Sequence, residues 1–480
     1  MKRFIVGVVF WFALSLHAAL LPDDAPLERH GGSLPRVAAT ESSASSPTKD
    51  SAQIMRFQEA YALLLEQSEA IKAQSYALDR AKTLALGAKL SFLPEISASA
   101  LYLHVDKPIQ EKLPIDSSAI PPNLAPMLTP LSQPIVLLDQ NIIIGAITLI
   151  YPLYTGGARV QGIKLATIAH KDAQEALRLK KLASFEELAN VYYGAVLARN
   201  IEHVLESSQH SANTHYQNAL ALEKAAQIAH LEVLSALVGL DKANNALKQA
   251  HDTSAIAQLT LDSALKGEIT PIPSLELSLK PLPPEEHFVE KTLASYPALR
   301  SLELKIASAK SAKTLALAPF LPQIVAFGGA YANNANHALI MRAIPTWNLG
   351  LAANLSLISP HARVQKYQAA KLTQLEAQSL AAQAREDMSL LVRKTYRQAV
   401  SAQEEYQSAR HSIDLASENL KLQQHAFRQG LATSVQVLDA QNALQSAQVQ
   451  QQTNAFKAII ALARLYALSD SVEEFYGLVR

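Results

Sequence analysis

The chain has 480 residues, a formal net charge of +1, and hydrophobic residues at 49% with aromatic ones at only 6%. A balance so close to neutral offers no basic footprint for nucleic acid. The absence of cysteine excludes disulfides, thiol chemistry and a lipid-bearing amino-terminal cysteine. Apolar content dominated by Ala and Leu suits long, closely packed helices better than a thick globular core.

Residues 1–19 read as a signal peptide: Lys2 and Arg3 precede an apolar run from Phe4 to Leu16, and Ala18-Ala19 supply small residues after it. The run is shorter than the ~20 residues of a spanning helix; a plain amino-terminal anchor is the alternative. No later segment offers about eighteen uninterrupted apolar residues, so any membrane span further on is not helical. Residues 20–51 lack an apolar period and read as a flexible leader.

From residue 52 to 266 the order is helix, strand, loop, strand, long helix, turn, helix. Apolar residues recur at helical spacing from Gln53 to about Leu90, and Pro94 ends that helix. Strands are expected at about 94–105 and 143–155, separated by a loop from Asp106 to Asn141 with seven prolines. Thr155-Gly156-Gly157 makes the exit turn, and it lacks the Lys-Ser/Thr of a phosphate loop. A long helix follows from Ala158 to about Ala225, and its return extends to about Leu265.

A proline-rich linker spans 267–286, and then the order restarts over 287–470, with a tail at 471–480. A helix is expected from about His287 to Ala318, with strands at about 322–333 and 345–358. In the last, Trp347, Leu349, Leu351, Ala353, Leu355 and Leu357 share one face, with small and polar residues opposite. The second long helix opens at Ala362. It starts with Ala-Arg-Val-Gln, as does the first at Ala158, and a 204-residue offset then holds through Tyr192/Tyr396 and Val233-Leu234/Val437-Leu438. The chain is therefore an internal duplication.

Four strands cannot close a barrel, since closed barrels begin at about eight. An open apolar sheet with two long edges invites aggregation, so the strands must pair with copies of themselves or pack on another element. Tyr151, Tyr331 and Trp347 lie near strand ends, where aromatics form membrane girdles. His203, His210 and His215 are spaced seven and five apart, not the i,i+4 of a helical metal site. No residue set points to a catalytic site, a metal or a cofactor.

These features resemble the TolC family of outer-membrane efflux proteins over about residues 52–470. The carriers are the duplicated order, the paired Phe-Leu-Pro-Glu-Ile and Phe-Leu-Pro-Gln-Ile at 92–96 and 320–324, Pro-Leu-Tyr-Thr-Gly-Gly-Ala-Arg-Val at 152–160, and QGLATSVQVLDAQNAL at 429–444. The resemblance implies an α + β membrane protein: a long α-helical barrel of coiled coils plus a transmembrane β-barrel formed by four strands per chain in a homotrimer. It implies no enzyme. The implied role is an exit duct in the Gram-negative outer membrane, in contact with its lipid and with a helical tunnel in the periplasm. A periplasmic adaptor and an inner-membrane pump of the RND, ABC or MFS type would open it for efflux or type I secretion. A soluble periplasmic coiled-coil scaffold is the alternative.

The resemblance also implies site residues. Gly430, Leu431 and Thr433 match the tip motif grasped by adaptors. Asp439 and Glu232 match acidic positions at the entrance, and three copies of each would form cation-attracting rings. Gln436 stands where a second acid is common. Phe427 and Ala432 replace a Tyr and an Arg that latch the entrance, leaving Arg428 as a substitute cation. The counterpart of the tip motif, AAQIAHLEVLSALVGL at 225–240, lacks the glycine.

Overall fold

The computed structural model describes residues 53–111, 134–272, 275, 281–334, 345–358 and 362–478. The expected signal peptide and leader, the middle of the proline-rich loop and part of the linker lie outside these residues. The described elements, in chain order, begin with β1 (Gln53–Met55), α1 (Phe57–Gln67), α2 (Glu69–Leu90), β2 (Glu95–His104), β3 (Ile109–Glu111), β4 (Ile135–Leu138), β5 (Asn141–Thr155), α3 (Ala158–Lys224) and α4 (His230–Leu265). The second half has β6 (Ile269–Pro271), α5 (Glu285–Ser295), α6 (Pro297–Leu315), a 3₁₀ turn (Ala318–Phe320), β7 (Gln323–Asn333), β8 (Trp347–Asn354), α7 (Arg363–Arg428), α8 (Ser434–Leu468) and α9 (Val472–Phe475).

The two long helices span 67 and 66 residues, which at 1.5 Å per residue is about 100 Å each. The shorter helices stack beside them. α6 and α8 both pack between α3 and α7, at opposite ends, while α2 and α4 cover α3 on its other side. Alanine, glycine and serine along these faces let the backbones approach closely. A Cβ on Gly239 of α4 would meet the Leu438 side chain of α8 at 2.3 Å.

The expected single helix over 53–90 is instead a strand and two helices. Gln53–Met55 pairs in parallel with Ile269–Pro271, a partner no local period reveals. Ser68 then leaves the helical region and caps α2, its hydroxyl accepting from the Ile71 amide. The expected helix over 287–318 breaks at Tyr296, which is extended (ψ 125°) because Pro297 follows. The proline-rich loop holds the paired strands β3 and β4, and the linker holds β6.

The main sheet runs β2-β5-β7-β8, antiparallel throughout, so β5 of the first repeat pairs with β7 of the second. The last strand is shorter than expected. β7 begins at Gln323, paired with Asn354, and Pro322 before it has no amide to extend the ladder. Leu355, Leu357 and Ile358 therefore lie beyond the strand and are exposed.

A core of rings sits at mid-length. Phe57 packs edge-on to Phe185 and Phe475, and Phe185 also meets Tyr61. The Tyr192 hydroxyl donates to the Met55 carbonyl (2.7 Å) and accepts from the Ile272 amide (3.1 Å), fixing the ends of β1 and β6. Burial holds the Tyr193 hydroxyl well above the usual phenol range. α9 closes this core with Phe475, which is fully buried.

Candidate functional site: two hairpin tips and the sheet opposite

The α3–α4 and α7–α8 hairpins reverse through the same backbone motif. At the second tip Gly430 has φ +72°, its amide donates to Phe427 O, and the Leu431 amide reaches Ala426 O. At the first, Ala226 takes φ +57°, with amide bonds from Ala226 to Glu223 O and from Gln227 to Leu222 O. Both are αL helix terminations of the Schellman type. The degenerate sequence at 225–240 thus keeps the turn and bears an alanine where glycine is favoured. Ala226→Gly is expected to raise unfolding stability by roughly 0.5–1 kcal/mol, read as a shifted denaturant midpoint.

Past Gly430, Leu431 is 77% exposed. Thr433 and Gln436 are committed to each other in a capping box: the Thr433 amide donates to Gln436 Oε1 (2.9 Å), and the Gln436 amide to the Thr433 hydroxyl. The first tip has Ala229 at that cap position and no side chain to complete a box. Glu232 crosses instead to the other hairpin. The Ser434 amide, in the first turn of α8, donates to Glu232 Oε2 (2.6 Å), and the Ser434 hydroxyl donates to Glu232 O (2.8 Å). A carboxylate at a helix N-terminus meets unpaired amides and the positive end of the dipole.

Phe427 is buried against His215, ring centroids 4.6 Å apart, in a small core with Val233, Val437 and Leu420. Ala432 packs on the same cluster. Arg428 stays on its own helix, donating to Gln424 O beside His425. Burial lowers the His215 pKa to about 4, against a smaller opposing pull from Glu232. Its folded value lies below the ordinary 6.5, so protons bind preferentially to the unfolded chain. The tips are expected to lose stability as pH falls from 6.5 toward 4, and His215→Leu to flatten that dependence in pH-resolved thermal melts. His203 and His210 are exposed and do not converge with His215. Among the described residues no group of three or more His, Asp or Glu is placed to hold a metal.

Between the tips runs a groove of about 560 Å³, lined by Leu231, Leu234, Val238 and Val435, with Lys242 and the exposed Asp439 on its wall.

At the other end, the strand register sorts the sheet into two faces. Trp347, Leu349 and Leu351 stand opposite Ala330, Gly328 and Ala326. These in turn face Ile147, Leu149 and Tyr151, and then Ala98 and Ile96. That face is apolar across all four strands up to the hydrogen-bonded His104–Asn141 pair at the far end of β2 and β5, and Leu349 and Leu351 are 76% and 72% exposed. The reverse face carries the Ser97–Thr148 hydroxyl pair and Tyr331, which accepts from Asn348. Tyr331 is therefore on the opposite face from Trp347 and Tyr151, because it alternates with Ala330. Among the described residues, β2 and β8 have no strand on their outer sides, and no helix is long and apolar enough to cross a membrane.

A wall of helices about 100 Å long, with two hairpin turns at one end and the sheet at the other, is an arrangement shared with solved outer-membrane channels. The CusC structure superposes with a TM-score of 0.71 at 12% identity, covering 88% of this chain and 95% of that one. The CmeC outer membrane channel of Campylobacter jejuni gives 0.69 at 14%, covering 92% and 94%. Protein CyaE of Bordetella pertussis is 24% identical over 259 residues, 52% of this chain and 54% of that protein, so the chain aligns with about half the length of this curated relative. Residues 288–470 match the outer membrane efflux protein family, and the resemblance of the chain to the TolC family, first carried by its motifs, stands.

Proposed function

We propose that three copies of this chain form a passive exit duct in a Gram-negative outer membrane. Their sheets would close a twelve-stranded barrel in lipid, and their helices a periplasmic tunnel that an adaptor and an inner-membrane pump open for efflux or secretion. The observation that carries this reading is the face of β2-β5-β7-β8 that is apolar up to the His104–Asn141 pair at its end, with both edges open among the described residues. In lipid every backbone amide and carbonyl needs a partner, and β2 of one copy and β8 of the next are the strands available to supply it. Gly430 and Leu431 are the adaptor contact in this reading, while Thr433 holds the turn in shape. Asp439 from three copies supplies a ring of carboxylates. Glu232 acts inside each subunit, strapping one hairpin to the other so that the entrance rests closed.

Mass of the detergent-solubilised mature protein, with planar-bilayer conductance of the same sample, tests the reading. A trimer with small, cation-biased conductance is expected, with the bias reduced in Asp439→Ala. Glu232→Ala frees the α8 N-terminus and is expected to raise the conductance severalfold, in line with loss of one charge-assisted hydrogen bond. A detergent-independent monomer without conductance would sink the duct and favour a soluble scaffold.

A further inference from the structure

The repeated Arg in Ala158–Gln161 and Ala362–Gln365 has a structural counterpart that the duct reading does not use. Arg159 turns back from the first turn of α3, donates Nη1 to the Pro152 carbonyl, and lies with its guanidinium 4.8 Å over the Phe92 ring. Arg363, 204 residues later, does the same from the first turn of α7. Its Nη1 donates to Ser356 O (2.6 Å) and Pro319 O (3.1 Å), its Nη2 donates to Leu357 O (2.8 Å), and the group lies 4.9 Å over Phe320. Phe92 and Phe320 are the first residues of the two Phe-Leu-Pro segments that lead into β2 and β7. Each arginine thus ties the segment entering a strand hairpin to the segment leaving it.

The carbonyls involved lie at an irregularity of the ladder or outside it. Pro152 lies at the register shift between Pro152 and Tyr154, and Ser356 and Leu357 lie beyond the end of β8. Carbonyls at such places need donors, and a planar guanidinium reaches several from a fixed fork while lying flat on a ring, a geometry that a compact ammonium does not reproduce. The two joints are coupled. Gly156, at the exit of β5, sits so close to Ala318 O that a Cβ there would approach it to 2.5 Å, and Pro319 and Phe320 of that same turn are what Arg363 holds.

We infer that Arg159 and Arg363 are duplicated positioning residues, each closing the base of its strand hairpin, and that together they set the angle at which the sheet leaves the helices. Resting on the duct reading, the inference adds that copies of the sheet join edge to edge only when both arginines hold.

The test uses the full chain in detergent, with Arg159→Gln, Arg363→Gln, the double variant, the two Arg→Lys variants and Arg385→Gln as a control that breaks only an exposed pair with Glu303. Hydrogen exchange over 147–155 and 347–354 is read beside exchange in α3 and α7 and the fraction of heat-resistant oligomer. About tenfold faster exchange is expected in the strands for each Gln variant, the scale of one charged hydrogen bond, with the long helices unchanged. Lys is expected to fail nearly as badly, and the double variant to lose the oligomer. Unchanged strand exchange, full rescue by Lys, or equal acceleration in helices and strands would each overturn the joint. If the wild type itself forms no oligomer, the duct reading fails, and the exchange data still decide the hairpin closure.

Discussion

Phe185→Ala is expected to lower the unfolding free energy by about 3–5 kcal/mol, the range for emptying a buried aromatic site. Phe185 has no exposed surface, and its ring meets Phe57 at 5.3 Å, Tyr61 at 5.2 Å and Phe475 at 5.5 Å. Two separate elements, α1 and α9, supply those three rings against α3, so the hole cannot close by moving one of them. Elsewhere the helices pack through alanines, which offer little area per contact. This cluster is where apolar burial is concentrated, at about 25 cal/mol per Å². Denaturant titration followed by helical circular dichroism checks the prediction. Phe185→Leu, which retains most of the volume, is expected to lose less than half as much.

Gly156→Ala is expected to cost about 3 kcal/mol, from left-handed backbone strain plus a steric clash. The residue has φ +62°, and its new Cβ would meet the Ala318 carbonyl, which belongs to a turn that Arg363 also holds. Gly430→Ala isolates the conformational part. Gly430 has φ +72° and nothing within 4 Å of an added Cβ, so only about 1 kcal/mol is expected. Denaturant midpoints of the two variants, measured together, separate strain from contact. Similar losses at both positions would show that the close approach to Ala318 carries no weight.

The candidate sites differ in how legible they were. The glycine turn at 430 is a local signal, and its structure follows the motif. The contact of Glu232 with the other hairpin has a partial sequence signal. Ala229 stands where Thr433 stands in the other repeat, so the acid three residues later has no cap to complete and is free to serve a neighbouring helix. The partner, Ser434, is 202 residues away, and only packing of the two hairpins brings it within 2.6 Å. The burial of Phe427 against His215 was likewise not legible, because the two rings come from different hairpins and meet only in the packed tips. The helix breaks at Ser68 and Tyr296 differ in how local their causes are. Pro297 announces the second and the Ser68 cap makes the first, whereas β1, ahead of both, depends on β6 more than two hundred residues away.

By itself the sequence determined the duplication, the lengths of the long helices, the four strands of the main sheet and the alternation that makes one face of β8 apolar. These follow from periods of 3.6 and 2 and from prolines and glycines, all of which act between neighbours in the chain. Only the tertiary structure decided that β5 joins β7 across the repeats, that Glu232 caps α8, that Tyr331 lies on the face opposite Trp347, and that each duplicated arginine closes a hairpin over a phenylalanine. Those facts depend on strand register and on groups far apart in sequence finding unpaired partners, and no local period encodes either.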